Sequence, residues 1–263
     1  MDDADLERRF GGLRRLYGSQ GYERLRAASV AVVGLGGVGS WAVEALARCG
    51  VARLVLIDLD HVAESNVNRQ IQAVTETLGQ AKAEALATRI AGIHPGCEVM
   101  TVDAFVEPAN WPALLPVEVD GLIDACDQVR AKVAMAAWAL AGRRPVVCAG
   151  AAGGKRQAQR AEVADLAEVT HDPLLARLRQ QLRKLHGAAR SGPIGLPCVF
   201  SRENVAPPAP GCGIEGGGDG TLACHGYGSS VAVTATFGLV AAGHLVEQLV
   251  ARDGLARPAA TGL

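Results

Sequence analysis

The residues able to do chemistry crowd into the first half of the chain. Gly34-x-Gly36-x-x-Gly39, with Gly37 between, follows a short run of β-branched residues. Glycines at this spacing let the backbone turn tightly and approach a phosphate at the positive end of the following helix. Asp58 stands at the end of a second apolar run, where a carboxylate accepts hydrogen bonds from ribose hydroxyls. Up to this point an NAD-dependent oxidoreductase explains the pattern equally well. The next residues favour a different reaction. Asp58-Leu59-Asp60 leads into Ser65-Asn66-Val67-Asn68-Arg69-Gln70, and Lys82 follows. Hydride transfer does not call for an Arg, a Gln and a Lys at these places. A carboxylate displacing pyrophosphate from ATP does, because charge builds on the phosphoryl oxygens and leaving group, and fixed cations stabilise it. Asp127, in Ile123-Asp124-Ala125-Cys126-Asp127, is placed to hold Mg²⁺ through oxygen ligands. Taken singly, Lys82 and Arg69 read as solvated charges and Asp127 as a helix cap. Their shared order along strand ends argues for one site.

The elements that must position these groups are legible as a βα alternation. Strands are expected at 29–33, 53–57, 98–102, 121–123 and 145–148, with helices at 41–49, 80–93 and 131–141. This alternation implies right-handed βαβ units: an α/β fold, doubly wound and Rossmann-like, with a mostly parallel sheet and helices on both faces. We read residues 1–263 as a single domain. It comprises an N-terminal arm (1–28), an ATP-binding core (29–150) and a C-terminal substrate-facing, dimer-packing region (151–263). The crowding of Gly and Pro between Ser191 and Gly220 predicts a long flexible loop there. The final ten residues read as a frayed tail.

Composition sets outer bounds. Of 263 residues, 49% are hydrophobic, enough for one core built mainly from Ala, Val, Leu and Ile, since Trp, Tyr and Phe are few. Net charge is −1, so any polyanion site must be a local patch. Such a patch is present: no acidic residue occurs between Asp172 and Glu203, while Arg177, Arg179, Arg183 and Lys184 share a predicted helix with Leu174, Leu178 and Leu182. Met1–Phe10 is charged, so no secretory leader is expected, and seven cysteines read as reduced cytoplasmic thiols. Gly226–Gly243 is uncharged. A buried or dimer-packed helix explains it better than membrane association, because a span wants about 20 predominantly apolar residues.

The motif series resembles that of the ubiquitin-activating-enzyme-like adenylating proteins, which include bacterial activators of sulfur-carrier proteins. The shared pattern is GxGGxG, D-x-D, S-N-x-x-R-Q, a helix lysine and D-x-x-D, matched here over roughly residues 9 to 150. The resemblance implies ATP and Mg²⁺ as cofactors. It places Asp58 on the ribose, Asn66, Arg69 and Lys82 on the phosphates with Gln70 beside them, and Asp127 on the metal. It also implies a homodimer in which an N-terminal arginine reaches into the neighbour's site. The family segment resembles R-Y-x-R-Q, but this chain reads Arg9-Phe10-Gly11-Gly12-Leu13-Arg14-Arg15, leaving Arg9 and Arg15 as alternatives. Sulfur-carrier activators commonly carry two C-x-x-C pairs for zinc. None is present here, so zinc is not expected.

Arg9–Gly18, the GGVGSW opening, Cys198–Ser201 and Val233–Gly238 resemble a tRNA-modifying branch of that family. That branch activates the threonine carboxylate on a modified adenosine of the anticodon loop. The implied reaction is acyl-adenylate formation followed by internal ring closure, with tRNA as partner and the basic helix as its phosphate contact. Binding of a sulfur-transfer protein is left open by the sequence. Cys224, followed by His225, is a candidate nucleophile, although a small packed thiol is the blander reading. The rival reading within the family is adenylation of a sulfur carrier's C-terminal glycine.

Overall fold

The computed structural model describes residues 5–207 and 227–251. Seven strands form one sheet in the order β3-β2-β1-β4-β5-β7-β6. The first five in the chain are β1 (Ser29–Val33), β2 (Arg53–Ile57), β3 (Glu98–Val102), β4 (Gly121–Asp124) and β5 (Val146–Ala149). All run parallel and fall within a residue of the predicted positions. β1, β4 and β5 are buried at every position, which is why they read as unbroken apolar runs and not as alternating ones.

Helices α2 (Gly39–Arg48), α3 (Lys82–Ile93) and α6 (Val231–Ala251) cover one face of the sheet. Helices α4 (Val129–Ala141) and α5 (Pro173–Leu185) cover the other. The doubly wound arrangement expected from the sequence is therefore present. α6 is long and apolar enough to cross a membrane by length and composition. Its Val233, Phe237, Ala241, Leu245 and Leu249 are nevertheless buried in the core against α2 and the sheet.

Two features add to the expectation and one departs from it. The N-terminal arm is a helix, α1 (Leu6–Ala27), broken at Gly18, where φ is 71°. The second half of the chain adds two strands to the same sheet: β6 (Ala161–Asp165) and β7 (Pro197–Ser201), antiparallel to each other. β7 runs parallel to β5 and lies within the stretch predicted as a flexible loop. Four apolar or small residues, Cys198–Ser201, are buried there, so packing outweighs the surrounding glycines and prolines. The rest of that predicted loop beyond residue 207, the final ten residues and Cys224 lie outside the described residues.

Candidate adenylation site

The chain order reverses direction between β1 and β4, and a cavity of about 430 Å³ opens at the carboxyl ends of these strands. Open α/β sheets bind ligands at such a switch point. Gly34, Gly36, Gly37, Asp58, Asp60, Asn66, Arg69, Gln70, Lys82 and Asp127 all line it. Thus residues spread over nearly a hundred positions meet in one place.

The glycines divide the work. At Gly34 φ is +83°, and a Cβ there would come within 2.8 Å of Cys126 N, so only glycine lets β1 and the 125–127 turn lie this close. Gly39 does not line the cavity. A Cβ on it would meet Gly34 O at 1.8 Å, so its role is to let α2 close onto β1. Gly36 and Gly37 line the open part of the cavity with backbone.

Asp58 holds this cradle as well as facing it. Its Oδ2 accepts from Leu35 N at 2.6 Å and its Oδ1 from Asp60 N at 2.8 Å. Burial pushes its carboxyl above the ordinary range, with Lys82 pulling the other way. Lys82, only 6% exposed, extends Nζ to Asp60 Oδ2 at 2.7 Å. Arg69 is tethered by bonds from Nη1 to Ser65 O at 2.6 Å and Asn68 Oδ1 at 2.9 Å. Asn66 accepts from Ala63 N, shaping the turn, and Gln72 Nε2 donates to Gln70 Oε1 and to Leu35 O. The polar side chains that line the cavity are therefore held by the same bonds that shape the loop.

Asp127 is exposed, and the residue that caps α4 is Gln128, so capping does not explain the aspartate. Among the described residues no cluster of three or more His, Cys, Asp or Glu could hold a metal alone. One carboxylate facing a phosphate cradle suits Mg²⁺, which is commonly bound by one or two carboxylates together with substrate phosphates.

Several residues support the site in ways their sequence motifs do not reveal. Trp41 Nε1 donates to Arg69 O at 3.0 Å, and Thr234 of α6 packs over Gly37. Beneath the site, Lys132 is fully buried and pairs with Asp124 at 3.1 Å, while also donating to Ala149 O at 2.8 Å. Burial opposes the charge on Lys132, but Asp124 and the adjacent sulfurs outweigh it and raise the ammonium above its ordinary value. Burial, then Asp124, pushes the Cys126 thiol well up, which fits packing and not nucleophilic use.

Arg9 and Arg15 lie away from the cavity of their own chain. Arg9 Nη1 donates to Ile93 O at 2.6 Å at the end of α3, whereas Arg15 is exposed. The basic face of α5 is similarly divided. Arg179 donates to Leu166 O and Val169 O, and Arg183 to Ala189 O, so these two fasten the helix to its surroundings. Arg177 and Lys184 are exposed.

Comparison with known proteins supplies the family. The ThiF family model matches residues 9–260. The tRNA threonylcarbamoyladenosine dehydratase of Escherichia coli (strain K12) is 42% identical, over 93% of this chain and 94% of that protein. The crystal structure of the E. coli tRNA N6-threonylcarbamoyladenosine dehydratase in complex with ATP is 40% identical. It superposes with a TM-score of 0.83, covering 95% of this chain and 96% of that one. The molybdopterin-synthase adenylyltransferase of E. coli is 36% identical, but over only 48% of this chain and 51% of its own length. The glycine cradle, the polar loop and the full-length likeness agree, and the chain belongs to the ThiF family.

Proposed function

We propose that the chain uses ATP to dehydrate N6-threonylcarbamoyladenosine in the anticodon loop of tRNA. The observation that carries this reading is the meeting of Asp58, Arg69, Lys82 and Asp127 around one glycine-lined cavity, in a chain 42% identical to an E. coli dehydratase over 93% of its length. Likeness to the sulfur-carrier activator extends over only about half of each chain, which favours the tRNA reading.

In this mechanism Asp58 orients the ribose, and the backbone at Gly36–Gly37 receives the phosphates. Arg69, Lys82 and Asn66 face the charge that develops as the threonine carboxylate attacks the α-phosphate and pyrophosphate departs. Mg²⁺, held by Asp127 with the phosphates, would neutralise part of the leaving group's charge. The ureido group of the same nucleoside then closes on the activated carbonyl. One carboxylate oxygen leaves with AMP, so the nucleoside loses the elements of water. Intramolecular attack carries effective molarities of ~10⁵ M or more in well-oriented cases, so this step needs no acceptor cysteine.

A homodimer completes the proposed assembly. Because Arg9 is engaged by the end of α3, Arg15 is the arginine available to reach a neighbour's site. AMP formation from ATP, measured with and without tRNA bearing the modified nucleoside, tests the reading. AMP released only with that tRNA supports it. AMP released only with a protein ending in Gly-Gly would replace it with the sulfur-carrier reading.

A further inference from the structure

A second concavity of about 930 Å³ lies between α4, α5 and the 108–112 segment. Its surface is apolar where Trp111, Pro112, Ala134, Ala137, Trp138 and Leu185 line it, and Leu185 is 61% exposed. Trp111 meets Trp138 edge-on at 5.3 Å, and the buried Trp111 Nε1 has no hydrogen-bond partner among the described residues. The polar lining consists of Arg130, Arg177, Gln180, Gln181 and His186, with no carboxylate.

Two relationships indicate what such a hollow would hold. First, it adjoins the adenylation cavity. Gln128 and Val106 line that cavity, while Val129 and Arg130, directly after Gln128, and Pro108, two residues beyond Val106, line the hollow. Second, Gln180 is shared with a basic depression lined by Arg179, Arg183, Lys184 and Arg190, again without a carboxylate. Acceptor-rich phosphates suit the cationic rim, an aromatic and apolar floor suits a planar base, and the glutamine amides offer both donor and acceptor to a base edge. An acidic protein surface would match the rim, but would leave the paired amides without an evident purpose.

We propose that this hollow takes an unstacked nucleobase of the tRNA, with the flanking phosphates on Arg177, Lys184 and Arg190. The inference rests on the tRNA reading above and adds a place where the loop is gripped beside the reacting nucleotide. It separates two kinds of contact. Charge on α5 draws the backbone with strong salt dependence, whereas the hollow contributes affinity that salt does not screen.

The test is retention of tRNA by filter binding across a salt series, for the wild-type chain and for Ala134→Phe, Gln180→Ala and Lys184→Ala. Ala134→Phe fills the hollow. It should weaken binding about fivefold or more, the lower end for loss of a base contact, with the slope of log affinity against log salt unchanged. Gln180→Ala, an exposed position that is safe for folding, should weaken binding in the same salt-independent way. Lys184→Ala should instead reduce the slope by about 1. ATP affinity, equal in all four, shows that the proteins are folded. Wild-type affinity in both Ala134→Phe and Gln180→Ala would overturn the proposal and leave the hollow to a protein partner. Failure of the wild type to retain any tRNA at low salt would overturn the tRNA reading, and this inference with it.

Discussion

Lys82 and Asp60 are clipped together twice: Lys82 N donates to Asp60 O at 3.0 Å, and its Nζ reaches Asp60 Oδ2 at 2.7 Å. The polar loop from 60 to 82 is thereby closed at its two ends, and the ammonium at the closure lines the adenylation cavity. Lys82→Ala should lower ATP–pyrophosphate exchange by ~10²-fold or more, as for loss of one preorganised donor at a developing charge. Asp60→Asn keeps the cation and should cost far less. Exchange within a few-fold of wild type in Lys82→Ala would remove this lysine from the chemistry.

Asp127 offers a different separation. Its side chain is exposed and does not cap α4, so Asp127→Ala should leave the melting temperature within about a degree of wild type, as is usual for surface sites. Activity should fall sharply and recover only in part at high Mg²⁺. A Mg²⁺ titration with the midpoint of the wild type would contradict its assignment to the metal.

The buried Lys132–Asp124 pair makes the opposite prediction. Removing one partner leaves an uncompensated charge, so Lys132→Met should cost on the order of 3–5 kcal/mol, read from denaturant unfolding. Asp124 also accepts from Cys126 N at 3.2 Å within the turn that presents Asp127. The surviving folded fraction should therefore show weakened Mg²⁺ dependence as well as lower stability.

His94 gives a pH dependence remote from the cavity. It is fully buried, with Arg26 Nη1 2.7 Å from its Nε2, and burial followed by the Arg26 charge lowers its pKa from 6.5 to about 4. The unfolded chain therefore binds this proton more readily than the folded one. The contribution is fully present above pH 6.5 and is lost as pH falls towards 4. It amounts to about 3 kcal/mol at most, at 1.36 kcal/mol per unit. Unfolding free energies at pH 7 and pH 4.5 should differ more in wild type than in His94→Gln. Equal differences would assign the acid sensitivity elsewhere.

Much of the core was legible because its signals are local. Parallel strands buried on both faces, such as Val30–Val33 and Leu54–Ile57, must be continuous apolar runs, and the glycines between strand and helix admit few backbones. Site residues at strand ends could be collected from order alone, because the topology of a doubly wound sheet places those ends on one rim. What was not legible depends on long-range pairing. β6 is half-buried at every position and has no apolar run, and β7 is embedded among Gly and Pro. β6 becomes a strand by pairing with β7, and β7 by pairing with both β6 and β5. Trp41 and Thr234 support Arg69 only because α2 and α6 pack together, and Lys132 looks like any helix-surface lysine until α4 turns it under β4 and β5. The basic run on α5 was visible as charge. That Arg179 and Arg183 spend their hydrogen bonds on backbone carbonyls was not.

The most direct test of the central claim is mass spectrometry of anticodon-loop nucleosides after incubating the purified protein with modified tRNA, ATP and Mg²⁺. Threonylcarbamoyladenosine should be converted to a product lighter by one water, with AMP formed in equal amount. An unchanged nucleoside, in a protein that demonstrably binds both ATP and the tRNA, would contradict it.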